Sequence, residues 1–227
     1  MKKIVVLTGA GMSAESGLKT FRDSDGLWEN HNVYDVATPE AWERDPEMVL
    51  KFYNERRKQV RDAKPNKAHV ALGKLEEKYD VHIITQNIDN LHERAGSTQV
   101  IHLHGEVNKA RSSIDSGLVY ELDHWEMKLG DLCEKGSQLR PHIVWFGEPV
   151  PMIEKAIPIV EMADRVIVIG TSLAVYPAAG LLNYATSSSK KYYIDPKGFE
   201  GDNHYPFVII KETAGVGVPR LVDQLLQ

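Results

Sequence analysis

A glycine-rich turn, TGAGMSAESG (8–17), follows the β-branched apolar run IVVL (4–7). Gly9, Gly11 and Ala14 satisfy the pattern G-x-G-x-x-A. The missing side chains let the backbone turn tightly and let a pyrophosphate reach the N-terminus of the next helix. A dehydrogenase of this type would carry an acidic residue about twenty positions on, at the end of a second strand. Here that space holds TFRDSDGLWENH, so hydride transfer loses support.

Three further stretches sit at the ends of apolar runs. TQNIDNLHERAG (85–96) offers Gln86, Asn87 and Asp89; two carboxamides beside a carboxylate suit recognition of another amide such as nicotinamide, or cap the helix that follows. HLHG (102–105) sends His102 and His104 to one side of a strand and Leu103 to the other. In GTSLAVYPAA (170–179), Thr171 and Ser172 can hydrogen-bond phosphate or ribose, or cap a helix. Apart from these, FYNERRKQV (52–60) places Tyr53 and Arg56 on one helix face. Alone, that pair reads equally as a solvated polar patch or a cation–π contact.

The elements that must position these residues are short apolar strands: IVVL, VHIIT (81–85), VIHL (100–103), RVIVIG (165–170) and KYYI (191–194), with PFVII (206–210) at an edge. Helical segments at 65–79, 90–95, 151–163 and 176–186 separate them. Strands alternating with helices predict an α/β fold, a Rossmann-like parallel sheet with helices on both faces. Two segments interrupt the alternation. Residues 22–62 have helical periodicity through Trp42, Val49, Phe52 and Tyr53, and residues 107–141 are polar, turn-rich and read as irregular. The expected organisation is a discontinuous Rossmann-like domain (1–21, 63–106 and 142–227) and a small domain built from the two insertions (22–62 and 107–141).

The 227 residues, 42% hydrophobic and 26% charged, are those of a globular chain large enough to bury a core. A formal charge of −5 gives no basic footprint for nucleic acid. The lysines and apolar run at the start imitate an export signal, but glycine breaks the run after a few residues, so we read a strand there and expect no membrane partner. The single cysteine, Cys133, cannot form an intramolecular disulfide and fits a cytoplasmic protein.

Taken in order, GAGMSAESG with TFR, QNIDNLH, HLHG, HIVWFGE (142–148) and GTS resemble the sirtuin family of NAD-dependent protein-lysine deacylases. The resemblance implies that Gly9, Ala10, Gly11, Ser13 and Glu15 line the phosphate and ribose pocket and that Phe21 and Arg22 close over NAD. By the same likeness Gln86, Asn87, Ile88 and Asp89 hold the nicotinamide end. Gly170, Thr171 and Ser172 form the second turn of the pocket. His104 is the implied catalytic base, with Asn87 and Asp89 completing the catalytic set. In the family, the acyl oxygen attacks C1′ of the nicotinamide ribose, and the histidine then deprotonates a ribose hydroxyl. That role needs a neutral imidazole.

Val144, Trp145, Phe146, Gly147 and Glu148 are implied to form a slot in which an extended acyl-lysine peptide pairs with backbone. The family's subclass that removes acidic acyl groups carries Y-x-x-R in the helical insert, and Tyr53 and Arg56 match it. A planar guanidinium and a phenol suit a distal carboxylate, so the expected substrates are succinyl-, malonyl- or glutaryl-lysine proteins or peptides, with weaker deacetylation. The expected products are nicotinamide and O-acyl-ADP-ribose.

The chain departs from the family in two places. Many sirtuins bind zinc through two cysteine pairs; here NKARSSIDSG (108–117) has no cysteine and only Cys133 lies near the second pair, so no zinc is expected. YYIDP (192–196) carries Asp195 where many members have an asparagine for the adenosine ribose; Asp195 can still accept from a ribose hydroxyl, and its negative charge disfavours NADP more than NAD. Ala214 is a candidate adenine contact. A protein ADP-ribosyltransferase or NAD glycohydrolase would use the same pocket without needing the HIVWFGE slot or the Tyr53/Arg56 pair. A non-catalytic NAD-sensing module would not need His104.

Overall fold

The computed structural model describes residues 1–19, 27–28, 31–199 and 205–227. Along the chain come β1 (Lys3–Thr8), β2 (Leu27–Trp28), β3 (His31–Asn32), α1 (Val33–Val36), α2 (Pro39–Arg44), α3 (Pro46–Asp62), α4 (Lys67–Leu75), β4 (Asp80–Thr85), α5 (Leu91–Arg94) and β5 (Val100–His102). They are followed by β6 (Gly105–Ser112), β7 (Val119–Glu121), β8 (Leu139–Ile143), α6 (Met152–Glu161), β9 (Arg165–Ile169), β10 (Lys190–Ile194), β11 (Phe207–Ile210) and α7 (Ala214–Leu226).

Six strands form one parallel sheet in the order β11-β10-β9-β1-β4-β5. This is the doubly wound order, whose direction reverses between β1 and β9; a crevice opens there at the carboxyl ends of the strands. Alternation along β1 feeds two cores. Ile4 and Val6 join Leu72 and Leu75 of α4 and Val218 and Leu221 of α7, whereas Val5 and Leu7 join Ala156 and Val160 of α6. Burial on both faces is why the central strands β1 and β9 read as unbroken apolar runs.

Residues 33–62 are largely helical, and two of their helices are well capped. Thr38 accepts from Ala41 N ahead of Pro39, and Asp45 accepts from Met48 N ahead of Pro46. Helix α3 then lays Val49, Phe52, Tyr53 and Val60 against Ile88, Leu91, Val107, Ile143 and Trp145. Its other face is tied to the second insertion. The Arg57 guanidinium donates to the carbonyls of Val107 (2.6 Å) and Trp125 (2.6 Å), and Asn54 bonds both the N–H and the carbonyl of Met127.

Two readings of local structure need correction. Residues 107–141 are not irregular: β6, β7 and β8 make an antiparallel sheet in the order β7-β6-β8. A register shift between Gly105 and Ala110 disrupts the apolar alternation that would have marked β6 as a strand. Within 176–186 the regular element is a 3-10 helix, Ala178–Tyr184, which begins after Pro177 and contains Gly180; both are poor residues for an α-helix interior.

Candidate active site

The crevice at the reversal point is lined by glycine backbone. Gly9 N donates to Ile169 O and Gly11 N to Gly170 O, so the turns after β1 and β9 touch. A Cβ on Gly11 would lie 2.7 Å from the Gly170 Cα, and Gly170 has φ +60. Only glycines allow this approach. The resulting bare backbone forms one wall of a cavity of about 460 Å³.

That cavity brings together every site residue that the family resemblance implied within the described part of the chain, and leaves out His102 of the same HLHG motif. Gly9, Ala10, Gly11, Ser13, Glu15, Gly170, Thr171, Ser172, Asp195 and Ala214 line one part. Gln86, Asn87, Ile88, Asp89 and His104 line the middle, and Tyr53, Arg56, Val144, Trp145, Phe146, Gly147 and Glu148 line the rest. Phe21 and Arg22 lie outside the described residues. Lys19, Tyr176 and Lys197 also line the cavity and were missed; for Lys197, its place three residues beyond the β10 strand end was the available signal.

The middle of the cavity is a hydrogen-bonded lattice. Ser13 Oγ donates to Asp89 Oδ2 (3.0 Å) and accepts from Asn87 Nδ2 (3.1 Å). Asp89 Oδ1 also accepts from Leu91 N, so this carboxylate starts α5 as well as facing the cavity. Burial raises the Asp89 pKa above the ordinary aspartate value, against the hydrogen bonds from Leu91 and Ser13. Gln86 Nε2 donates to Thr171 Oγ1 at 3.1 Å, joining the loop after β4 to the turn after β9.

His104 Nδ1 lies 3.0 Å from the Gln86 carbonyl, so Nδ1 carries the proton and Nε2 of the neutral ring keeps its lone pair. Burial lowers the His104 pKa, which holds the ring neutral. His102 is turned to the neighbouring carbonyl, Asn87 O, at 2.9 Å, and Leu103 packs in the core beside Leu7 and Ile84.

At the other end, Tyr53 is fully buried and its hydroxyl accepts from Trp145 Nε1. Burial lifts the phenol pKa well above its ordinary value, so it stays protonated. Arg56, one helical turn on, donates to Gln59 Oε1 at 3.2 Å. Glu148 accepts from Arg140 at 2.8 and 3.0 Å, from Arg111 at 3.0 and 3.1 Å and from Trp145 N at 2.8 Å. Its carboxylate therefore fixes the turn that carries Trp145. Around Cys133 the neighbours of the thiol are the hydroxyls of Ser112 (3.4 Å) and Ser137 (3.2 Å). That donor set does not fit zinc, and among the described residues no three His, Cys, Asp or Glu side chains are grouped to hold a metal.

A glycine cradle at the switch point of a doubly wound sheet, joined to an amide-rich loop and a half-buried histidine, defines a dinucleotide-handling α/β protein. Residues 9–177 match the Sir2 family. A Helicobacter pylori protein named NAD-dependent protein deacylase is 52% identical over 229 residues, covering 100% of this chain and 99% of that protein. A Bacteroides thetaiotaomicron protein of the same name is 52% identical over 231 residues, covering 100% and 99%. A Sir2 homologue solved with NAD superposes with a TM-score of 0.89 at 41% identity, covering 99% of this chain and 90% of that one. The chain belongs to the Sir2 family.

Proposed function

We propose that this Sir2-family enzyme, an NAD-dependent protein deacylase, prefers lysine acyl groups that end in a carboxylate. Succinyl, malonyl and glutaryl groups fit that description, and acetyl would be a poorer substrate. The observation that supports this preference is that Tyr53 and Arg56 line the same cavity as His104. A guanidinium and a protonated phenol give a carboxylate charge-assisted donors that an acetyl group cannot use.

NAD, when bound, supplies the ribose carbon to which the acyl oxygen is transferred. Its phosphates suit the glycine cradle of Gly9, Gly11 and Gly170. We assign the nicotinamide end to Gln86, Asn87, Ile88 and Asp89, and the adenosine end to Asp195 and Ala214. His104 acts as the base through Nε2, with its ring oriented by the Gln86 carbonyl. The slot from Val144 to Glu148 would hold the peptide. The products would be nicotinamide and O-acyl-ADP-ribose. We take the two insertions as a small domain. The lone thiol supports a cytoplasmic enzyme acting on proteins. Among the described residues no helix is long and apolar enough to cross a membrane.

The test measures nicotinamide release on succinyl- and acetyl-lysine peptides of one sequence. Faster turnover of the succinyl peptide supports the preference, equal rates remove it, and release without any peptide would favour a glycohydrolase.

A further inference from the structure

Two histidines of one motif hold two consecutive carbonyls of the same loop, in different ways. His104 binds the Gln86 carbonyl through Nδ1 and lines the cavity. His102 binds the Asn87 carbonyl through Nδ1 at 2.9 Å, and its Nε2 lies 2.7 Å from Glu93 Oε1. The His102 side chain is 6% exposed, so water contributes little there.

A carbonyl oxygen only accepts, so Nδ1 of His102 carries a proton. The 2.7 Å contact to Glu93 must also contain a proton. If the ring were neutral, that proton would sit on the carboxyl of Glu93, a side chain 39% exposed on α5. A partly solvated carboxyl is the weaker holder, since an imidazole is the stronger base by about two pKa units. We propose that His102 is an imidazolium at neutral pH, donating from both ring nitrogens, and that it acts as a positioning residue holding the Asn87 carbonyl and with it the loop 86–89.

The charges around the ring fit. Glu93 faces it from α5, Glu106 from β6 and Asp89 from the loop itself, while His92 of α5 is kept neutral by burial. Burial opposes the charge on His102, but the hydrogen bond and charge of Glu93 outweigh it and raise its pKa, so the ring stays charged to higher pH than an ordinary histidine. The backbone of Asn87 is otherwise tied at its N–H to Thr85 Oγ1, and its side chain to Ser13. His102 therefore fixes the remaining group of the residue that lines the cavity. The consequence for cofactor binding rests on our assignment of this loop to the nicotinamide end; the protonation state does not.

The experiment uses the full chain labelled with ¹⁵N-histidine. At pH 7.5 both ring nitrogens of His102, assigned by their loss in His102→Gln, should report as protonated. In Glu93→Gln one proton should remain, on Nδ1. A singly protonated ring in the wild type overturns the proposal. In parallel, His102→Gln should raise the KM for NAD about tenfold, the loss of one charge-assisted bond, with a smaller change in the KM for peptide. The neutral ring still donates to the Asn87 carbonyl from Nδ1 but without charge assistance, so the pH at which kcat/KM for NAD falls on the alkaline side should move down in Glu93→Gln, with a smaller loss than in His102→Gln, a shift that a packing role for His102 would not produce. A doubly protonated ring with an unchanged KM overturns the positioning role. If Asn87→Ala is equally silent, the assignment of the loop to the nicotinamide end fails with it.

Discussion

The indole nitrogen of Trp145 donates to the hydroxyl of Tyr53 at 3.1 Å. An indole N–H cannot accept, so the phenol oxygen is the acceptor and its own hydrogen is turned away from Trp145. This fixes the direction in which a cavity-lining phenol can donate. Trp145→Phe keeps the aromatic wall and removes the N–H. Its expected effect is a fall of about two- to tenfold in the ratio of succinyl to acetyl kcat/KM, the range for one net hydrogen bond. Paired peptides measure it. An unchanged ratio would mean that the bond only packs the ring.

Arg56 supplies the charge for the same preference. Arg56→Met keeps most of the stem and removes the guanidinium, so succinyl kcat/KM should drop about ten- to a hundredfold. Acetyl turnover should hold within about threefold, as a neutral acyl group makes no charge-assisted bond. Parallel losses on both peptides would mean that Arg56 supports the helix and not the acyl group.

These two residues were legible in the sequence because a helix has a fixed period: Tyr53 and Arg56 share a face, and Arg57 is turned to the second insertion. The glycine turns were legible for a similar reason, since bare backbone after a strand has few uses. The small sheet was not, because the register shift between Gly105 and Ala110 breaks the alternation that would mark β6. The cluster of Arg111, Arg140 and Glu148 was also hidden. Nothing in the spacing of residues 37 and 8 positions apart says that they meet. His102 was noticed as a strand-end histidine, but its bond to Glu93 depends on how α5 packs over β5.

Glu148 is the centre of that cluster, and Arg140 is the partner that also packs on Trp145. The Arg140 guanidinium chelates Glu148 and lies 3.4 Å from the centre of the Trp145 ring. Removing one partner of a shielded ion pair leaves the other uncompensated. Arg111 still reaches Glu148, so Arg140→Met should lower the unfolding free energy by about 2–3 kcal/mol, below the full cost of an orphaned buried charge. Adding Glu148→Gln should recover part of that loss, which urea unfolding of the two single variants and the double variant would measure. Strict additivity would show that the pair does not couple.

Part of the acid sensitivity of the fold should trace to a buried histidine of α4. His69 is fully buried at the start of α4, and its Nδ1 accepts from Asn66 N at 3.2 Å to close a capping box. Burial pushes its pKa down to about 4, against a smaller opposing pull from Glu93. The unfolded chain would take up a proton near pH 6.5, so between these two values the unfolded state binds more protons. The stabilising effect of the neutral ring is therefore present in full above pH 6.5 and is lost as pH falls toward 4, to a total of roughly 3 kcal/mol. Glutamine can accept the same Asn66 N–H in a capping box, so His69→Gln isolates the titration from the cap. Urea unfolding at intervals from pH 7.5 to 4.5 should give a shallower loss of stability in the variant, by up to one proton. Identical slopes would move the acid sensitivity to other groups.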